Sequence, residues 1–233
     1  VRLGGQVLLA QEIPGRDEFG GAVTNLQREM ERAGVDVRLR TRGDVDSIRA
    51  LHPDAVVLAT GAVPRRPHLE ILGEPVVLDA WQAIRGAEVA VGRVVVADWR
   101  CDWIGLGVAI LMAERGHPVT LAVSGYHAGQ RIQQYVRDEM IARALRRGVD
   151  IVPLVRPYGA DSDTVYLQHV LTGEPVVVES VSALVMSQGH ESVNDLEDVL
   201  CAAGIEVHMV GDCLAPRTVE EAVFEGLKAA SAL

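Results

Sequence analysis

Three short stretches pair glycine with small or acidic residues in the manner of loops that hold nucleotides. Near the start, Arg2–Gln6 (RLGGQ) sets Gly4 and Gly5 ahead of Gln6. Two glycines let backbone N–H groups approach a ligand closely, although Gly-Gly is equally a plain turn. At Val56–Pro64 (VVLATGAVP) an aliphatic run delivers Ala59, Thr60 and Gly61 to its carboxyl end. Ligands sit there in open α/β sheets; the alternative is a tight strand exit. At Val207–Ala222 (VHMVGDCLAPRTVEEA) a strand ends at Gly211-Asp212, a loop with Pro216 follows, and a helix opens at Thr218. A carboxylate so placed accepts hydrogen bonds from ligand hydroxyls, such as those of a sugar or ribityl chain. The amino end of the helix, with Val219 and Ala222 in its first turn, faces an electron-rich ring edge or a pyrophosphate. Otherwise Asp212 merely caps a turn.

A fourth stretch departs from the pattern it invites. A dinucleotide fingerprint needs G-x-G-x-x-G between a strand and a helix. Val94–Val108 (VVVADWRCDWIGLGV) has the strand and the helix, but Asp98 stands where the first glycine belongs. Trp99, Arg100 and Trp103 fill the turn, and Gly105 and Gly107 come too late, as helix-packing glycines. Asp98 and Asp102 repel a pyrophosphate, so NAD(P)H is not expected there. The seven histidines form no HxxxH or HxH pair, and no Ser–His–Asp set follows from spacing. No catalytic residue and no metal ligand is therefore nominated. Cys101, Cys201 and Cys213 are scattered, so the chain cannot by itself hold a four-thiolate zinc or iron–sulfur site.

The elements that must position these loops alternate along the chain. Strands are expected at Val35–Arg40, Ala55–Ala59, Val94–Ala97, Val119–Val123, Asp150–Val155, Thr164–His169, Pro175–Glu179, Ala183–Met186 and Glu206–Val210. Helices are expected at Phe19–Ala33, Gly105–Arg115, Ile132–Arg147 and Thr218–Ala232. The first three end at Gly34, Gly116 and Gly148, which suit a left-handed stop, and Thr218 with Glu221 forms a capping box. The order strand, helix, glycine, strand implies parallel crossovers. Ala62–Pro75 and Gln188–Asp195 read as connections. The expected organisation is thus a host, 1–75 plus 188–233, interrupted by an inserted domain, 76–187.

Composition narrows the class. The 233 residues suit one large or two small domains. Hydrophobic residues make up 48%, enough for a packed core, while aromatics at 4% leave that core to Val, Leu, Ala and Ile. With 23 glycines, this is α/β composition. A net charge of −10 argues against nucleic acid or an anionic membrane as main partner. No apolar run reaches the roughly 20 residues of a membrane span, and Val1–Ala10 lacks the pattern of a secretory leader. Sparse cysteine suggests a reducing, cytoplasmic setting.

Leu3–Phe19 (LGGQVLLAQEIPGRDEF), Leu58–Arg65 (LATGAVPR) and Val210–Ala222 (VGDCLAPRTVEEA) together resemble the carboxyl-terminal half of multidomain flavoenzymes: 2,4-dienoyl-CoA reductase, trimethylamine dehydrogenase, histamine dehydrogenase and related N-methyl amine demethylases. The blocks lie in the family's order and span nearly the whole chain. The resemblance implies a glutathione-reductase-like, Rossmann-type domain for FAD (or ADP), interrupted by an NAD(P)-binding-like domain. In the family these follow an FMN-binding barrel and a four-cysteine [4Fe–4S] cluster, neither of which this sequence contains. The FAD domain's first strand–helix–strand is also absent, so a fragment or cleaved chain is expected, inactive alone and binding FAD poorly.

Carried over by position, the resemblance places Gly4, Gly5 and Gln6 beside the pyrophosphate and flavin side of the dinucleotide. Ala59, Thr60 and Gly61 pass near its adenosine–pyrophosphate part. Gly211 and Asp212 hold the ribityl and phosphate region, and Thr218 to Ala222, Val219 included, lie near the flavin. The dienoyl-CoA reductase branch keeps a glycine fingerprint and draws on NADPH. The trimethylamine dehydrogenase branch has lost it and passes electrons to an electron-transferring flavoprotein. Asp98–Gly107 sides with the second, which implies an amine or N-methyl substrate. An NAD(P)H-dependent enoate reductase and a non-catalytic ADP-binding module remain the alternatives.

Overall fold

The computed structural model describes residues 2–233. In chain order its helices are α1 (Val7–Ala10), α2 (Phe19–Arg32), α3 (Val45–Arg49), α4 (Ala80–Ile84), α5 (Trp103–Glu114), α6 (Gln134–Arg146), α7 (Leu196–Ala202) and α8 (Val219–Ala232). The strands are β1 (Ala55–Leu58), β2 (Ala62–Pro64), β3 (Glu70–Ile71), β4 (Val77–Asp79), β5 (Arg93–Asp98), β6 (Val119–Val123), β7 (Asp150–Val152), β8 (Val155–Ala160), β9 (Thr164–His169), β10 (Pro175–Glu179), β11 (Val181–Ser187), β12 (His190–Ser192) and β13 (Glu206–Met209). The class is α/β with parallel sheets, as the alternation of elements requires. The described residues divide into two units: 2–8, Glu18–Val63 and His190–Leu233 form the first, and Leu9–Asp17 with Pro64–Gly189 the second.

The second unit is built on a five-stranded parallel sheet in the order β4-β11-β5-β6-β7. β5 reads as apolar throughout because both its faces are covered. Val94 and Val96 join Leu121, Val123 and Val185 in one cluster with α4, α5 and α6. Val95 and Ala97 join Ala122, Leu184 and Met186 in another, packed on Val155, Ala160, Val165 and Leu167 of β8 and β9. α5 has no polar face: Leu106, Val108, Ala109, Ile110 and Met112 are all buried, as in a helix enclosed on every side. The segment 9–17 packs against it, and a Cβ at Gly107 would lie 2.5 Å from Cγ2 of the buried Ile13. That contact explains why residues 9–17 fall with the second unit rather than with the host segment 1–75. The boundaries at Val63/Pro64 and Gly189/His190 likewise differ from those read at 75 and 188.

Parallel order does not extend to the rest of this unit. β8, β9 and β10 form an antiparallel meander, with β3 added parallel to β8. The single strand expected at Asp150–Val155 is two: β7 stays in the parallel sheet and β8 opens the meander. Pro153 lies between them, and Leu154 takes a left-handed φ of 57° with its N–H on the Gly125 carbonyl, which turns the chain from one sheet to the other.

In the first unit β1 and β13 run parallel, Leu58 opposite Met209. Behind them Leu58, Leu200 and Cys213 are buried among Val45, Ile48, Leu196 and Ile205. The expected connections at Ala62–Pro75 and Gln188–Asp195 contain β2 and β12, which pair with each other. The strand expected at Val35–Arg40 does not form. α2 ends as its sequence requires, with Gly34 N–H on Glu31 and Val35 N–H on Met30, a Schellman stop. The residues after it alternate apolar and polar but find no partner strand among the described residues, and Val35, Val37 and Leu39 stay 48%, 38% and 46% exposed. An alternating pattern makes a strand only where a ladder accepts it. Among the described residues, no helix is long and apolar enough to cross a membrane.

Candidate functional site

Because β1 and β13 are parallel and in register to Leu58 and Met209, the residues that follow both strands emerge side by side at one end. Val210 N–H on the Leu58 carbonyl (3.0 Å) carries the pairing one step further. Ala59, Thr60 and Gly61 leave one strand there; Gly211 and Asp212 leave the other as a 3₁₀ turn, Gly211–Cys213. This is the carboxyl-end position at which open α/β sheets take their ligands.

Asp212 is the hub. Its Oδ2 accepts from Gln6 Nε2 at 3.0 Å, across 206 residues of sequence, and its Oδ1 accepts from the Arg217 N–H at 3.0 Å. Its carbonyl accepts from Ser192 Oγ at 2.8 Å. A carboxylate has about four lone-pair sites, so two bonds leave room for a ligand's hydroxyls. Gly61, at φ +75°, faces the same group: a Cβ there would lie 3.4 Å from Gln6 Nε2. Val193 N–H bonds the Gly61 carbonyl at 3.0 Å, and Thr60 Oγ1 donates to the Val193 carbonyl.

The other wall is the first turns of α8. Gly211, at φ +67°, comes so close to the helix that a Cβ would lie 3.1 Å from Ala222 Cβ. Its N–H donates to Glu225 Oε2 at 2.7 Å, and Glu225 also pairs with Arg217. Glu221 reaches back to accept the Thr218 N–H at 3.0 Å and the Thr218 hydroxyl. Those bonds hold the Glu221 carboxyl below its usual range, the hydroxyl contributing most.

The structure thus brings Gln6, Gly61, Gly211, Asp212 and Ala222 into one cluster. Ala59 and Thr60 stand exposed at its edge, and Thr218 caps α8 with Val219 beside it, 42% exposed. Gly4 is occupied elsewhere: at φ +124° it lies against Leu8 and Val23, where a Cβ would sit 2.9 Å from each. Gly5, at φ +48°, has open space around it. Ser192, Arg217 and Glu225 were not foreseen. Glu225 carried a signal, four residues after Glu221 and therefore on the same helix face; Ser192 carried none. Among the described residues, no group of three or more His, Cys, Asp or Glu side chains is placed to hold a metal ion. The cluster has acceptor capacity at Asp212 and two glycines where side chains would intrude.

No family model matches the chain. It is 27% identical over 97% of its length to N,N-dimethylglycine/sarcosine dehydrogenase of Chromohalobacter salexigens. It is 29% identical over 99% of its length to bilirubin reductase of Mediterraneibacter gnavus, and 27% identical over 98% to NADH oxidase of Thermoanaerobacter brockii. The chain spans 38%, 35% and 35% of these relatives. Its fold superposes on histamine dehydrogenase from Rhizobium sp. 4-9 with a TM-score of 0.90 at 22% identity, over 100% of this chain and 39% of that one. A flavoprotein disulfide reductase from Escherichia coli shares the fold more distantly, with a TM-score of 0.56 at 15% identity over 73% of this chain and 42% of that one.

Proposed function

We propose that this chain, similar over nearly its whole length to part of N,N-dimethylglycine/sarcosine dehydrogenase and of histamine dehydrogenase, is the nucleotide-binding, electron-transfer portion of a flavin-dependent oxidoreductase that acts on an amine or N-methyl compound. The observation that carries the binding half is the cluster at the ends of β1 and β13, where Gln6, Gly61 and Asp212 meet. Asp212 accepts ligand hydroxyls, Gly61 lets backbone approach the ligand, and the first turn of α8 lends its positive end. FAD bound there supplies redox chemistry; ADP supplies none and would only brace the fold. An FMN barrel and an iron–sulfur region are the partners this reading calls for, with an electron-transferring flavoprotein as outlet. The name of the N,N-dimethylglycine/sarcosine dehydrogenase relative supports the amine half.

The test is anaerobic mixing of the protein, expressed from its complete reading frame, with a panel of secondary and tertiary N-methyl amines. Flavin bleaching by at least one amine, and not by NADPH, is the expected result. Bleaching by NADPH, with the colour restored by an enoyl thioester and no bleaching by any amine, contradicts the reading.

A further inference from the structure

In a Rossmann-type unit the pyrophosphate lies between a strand and the helix after it, at the point where neighbouring connections leave in opposite directions. In the second unit that point is between β5 and β11: β5 leads through α5 to β6 on one side and pairs with β11 on the other. Here that point is lined by the protein's own groups. Gln188 Nε2, itself buried, donates to the Ala97 carbonyl at 2.8 Å. Trp99 N–H bonds the Ser187 carbonyl at 3.1 Å, and Ser124 N–H bonds the Asp98 carbonyl at 3.0 Å.

The Asp98 side chain fills what is left. It is 1% exposed and lies flat on the first turn of α5, so that a Cβ at Gly105 would be 2.2 Å from its Cγ. Its Oδ1 accepts from the Cys101 N–H at 2.9 Å, which fixes Cys101 at φ +52°. Its Oδ2 is buried without a hydrogen-bond partner. Asp102 caps the helix, with Oδ1 accepting from Ile104 N–H and Oδ2 from Arg100 Nε, both at 3.0 Å. The amides a pyrophosphate would use are therefore committed to carboxylates, and Arg100 is paired with one of them.

We propose that Asp98, supported by Asp102, excludes nicotinamide dinucleotides from the second unit by occupying the place and the amide donors of their pyrophosphate. This goes beyond the function proposed for the first unit and does not depend on it. Burial favours the neutral acid at Asp98. Burial, then the charge of Asp102, pushes its carboxyl well above the usual range, against weaker opposition from the Cys101 and Arg100 amides and the Arg100 charge. The charged or titratable groups facing it are Arg100, Cys101 and Asp102; β6 and β11 bring Ser124, Ser187 and Gln188, which do not titrate. The folded protein then keeps a proton that the unfolded chain has released. Its stability is full below the usual aspartate range and falls as pH rises toward the folded value. The amide of an Asp98→Asn variant has no such proton to lose.

The experiment titrates wild type, Asp98→Asn and Asp98→Gly/Asp102→Ser with NADH and NADPH by calorimetry and by quenching of the half-exposed Trp99. Melting of each protein from pH 4 to 9 is followed alongside. Wild type and Asp98→Asn should give no saturable signal up to millimolar nucleotide, and the double variant should bind measurably. The melting temperature of Asp98→Asn should gain on wild type as pH rises. Saturable binding by wild type, or a folded double variant that still refuses both nucleotides, overturns the proposal. If the double variant fails to fold, Asp98→Ser, which removes the carboxyl lying against Gly105, is titrated in its place: binding supports the proposal and refusal by the folded protein overturns it.

Discussion

Gly105→Ala should lower the stability of the second unit, although alanine is the better helix former. In an open helical position that exchange gains up to about 1 kcal/mol. At Gly105 the added Cβ would lie 2.2 Å from Asp98 Cγ, 2.4 Å from its Oδ2 and 2.5 Å from its Cβ. None of these is the loose end of a long side chain, and Asp98 is held by the Cys101 amide. Either the helix moves off β5 or Asp98 leaves its pocket. Overpacking of this kind costs about 1–3 kcal/mol or more, which outweighs the propensity gain. At the upper figure, a chain of this length melts roughly 6–12 °C lower. Gly226→Ala on α8, where nothing lies within 4 Å, is the matched control and should melt slightly higher. The paired melts check the sign; a stabilised Gly105→Ala would mean the α5–Asp98 contact is looser than described.

Asp212→Ala should weaken retention of the adenine nucleotide by about 10- to 100-fold, the loss of one or two charged hydrogen bonds. Asp212 stands at the end of β13 with acceptor capacity to spare after Gln6 and Arg217 are served. Part of the loss would come through the fold, because the Arg217 amide loses its acceptor. Asp212→Asn keeps an oxygen for that amide and removes the charge, so it should fall between wild type and Asp212→Ala. Gln6→Ala frees one carboxylate oxygen and should change affinity least of the three. Equilibrium dialysis with melting curves beside it separates the two contributions; affinities within twofold of wild type for Asp212→Ala would remove the residue from the site.

How much of this was legible depends on the range over which each feature is encoded. β5 and α5 could be read directly, because an enclosed parallel strand and an enclosed helix are written in consecutive apolar residues. The helix stops at Gly34, Gly116 and Gly148 are equally local. α4 escaped notice: five residues cannot show a helical period, although Asp79 and Gln82 form a reciprocal cap with both bonds at 2.9 Å. β2 and β12 were hidden because three-residue strands next to proline and glycine look like linkers. Val35–Arg40 misled in the other direction, since its alternation is local and its pairing is not. The glycine and acidic loops were visible singly. That Gln6, Gly61 and Asp212 meet was not visible, since nothing in a sequence records a bond across 206 residues. Asp98 showed as a broken fingerprint; its burial and its unpartnered oxygen needed the fold.

The most direct measurement is chromatography of the nucleotide released by heat or acid from the protein expressed from its complete reading frame. The account predicts one adenine nucleotide per chain, FAD or ADP, and a small fraction of that from Asp212→Ala. A preparation that releases no adenine nucleotide, or releases the same amount from both proteins, would contradict it.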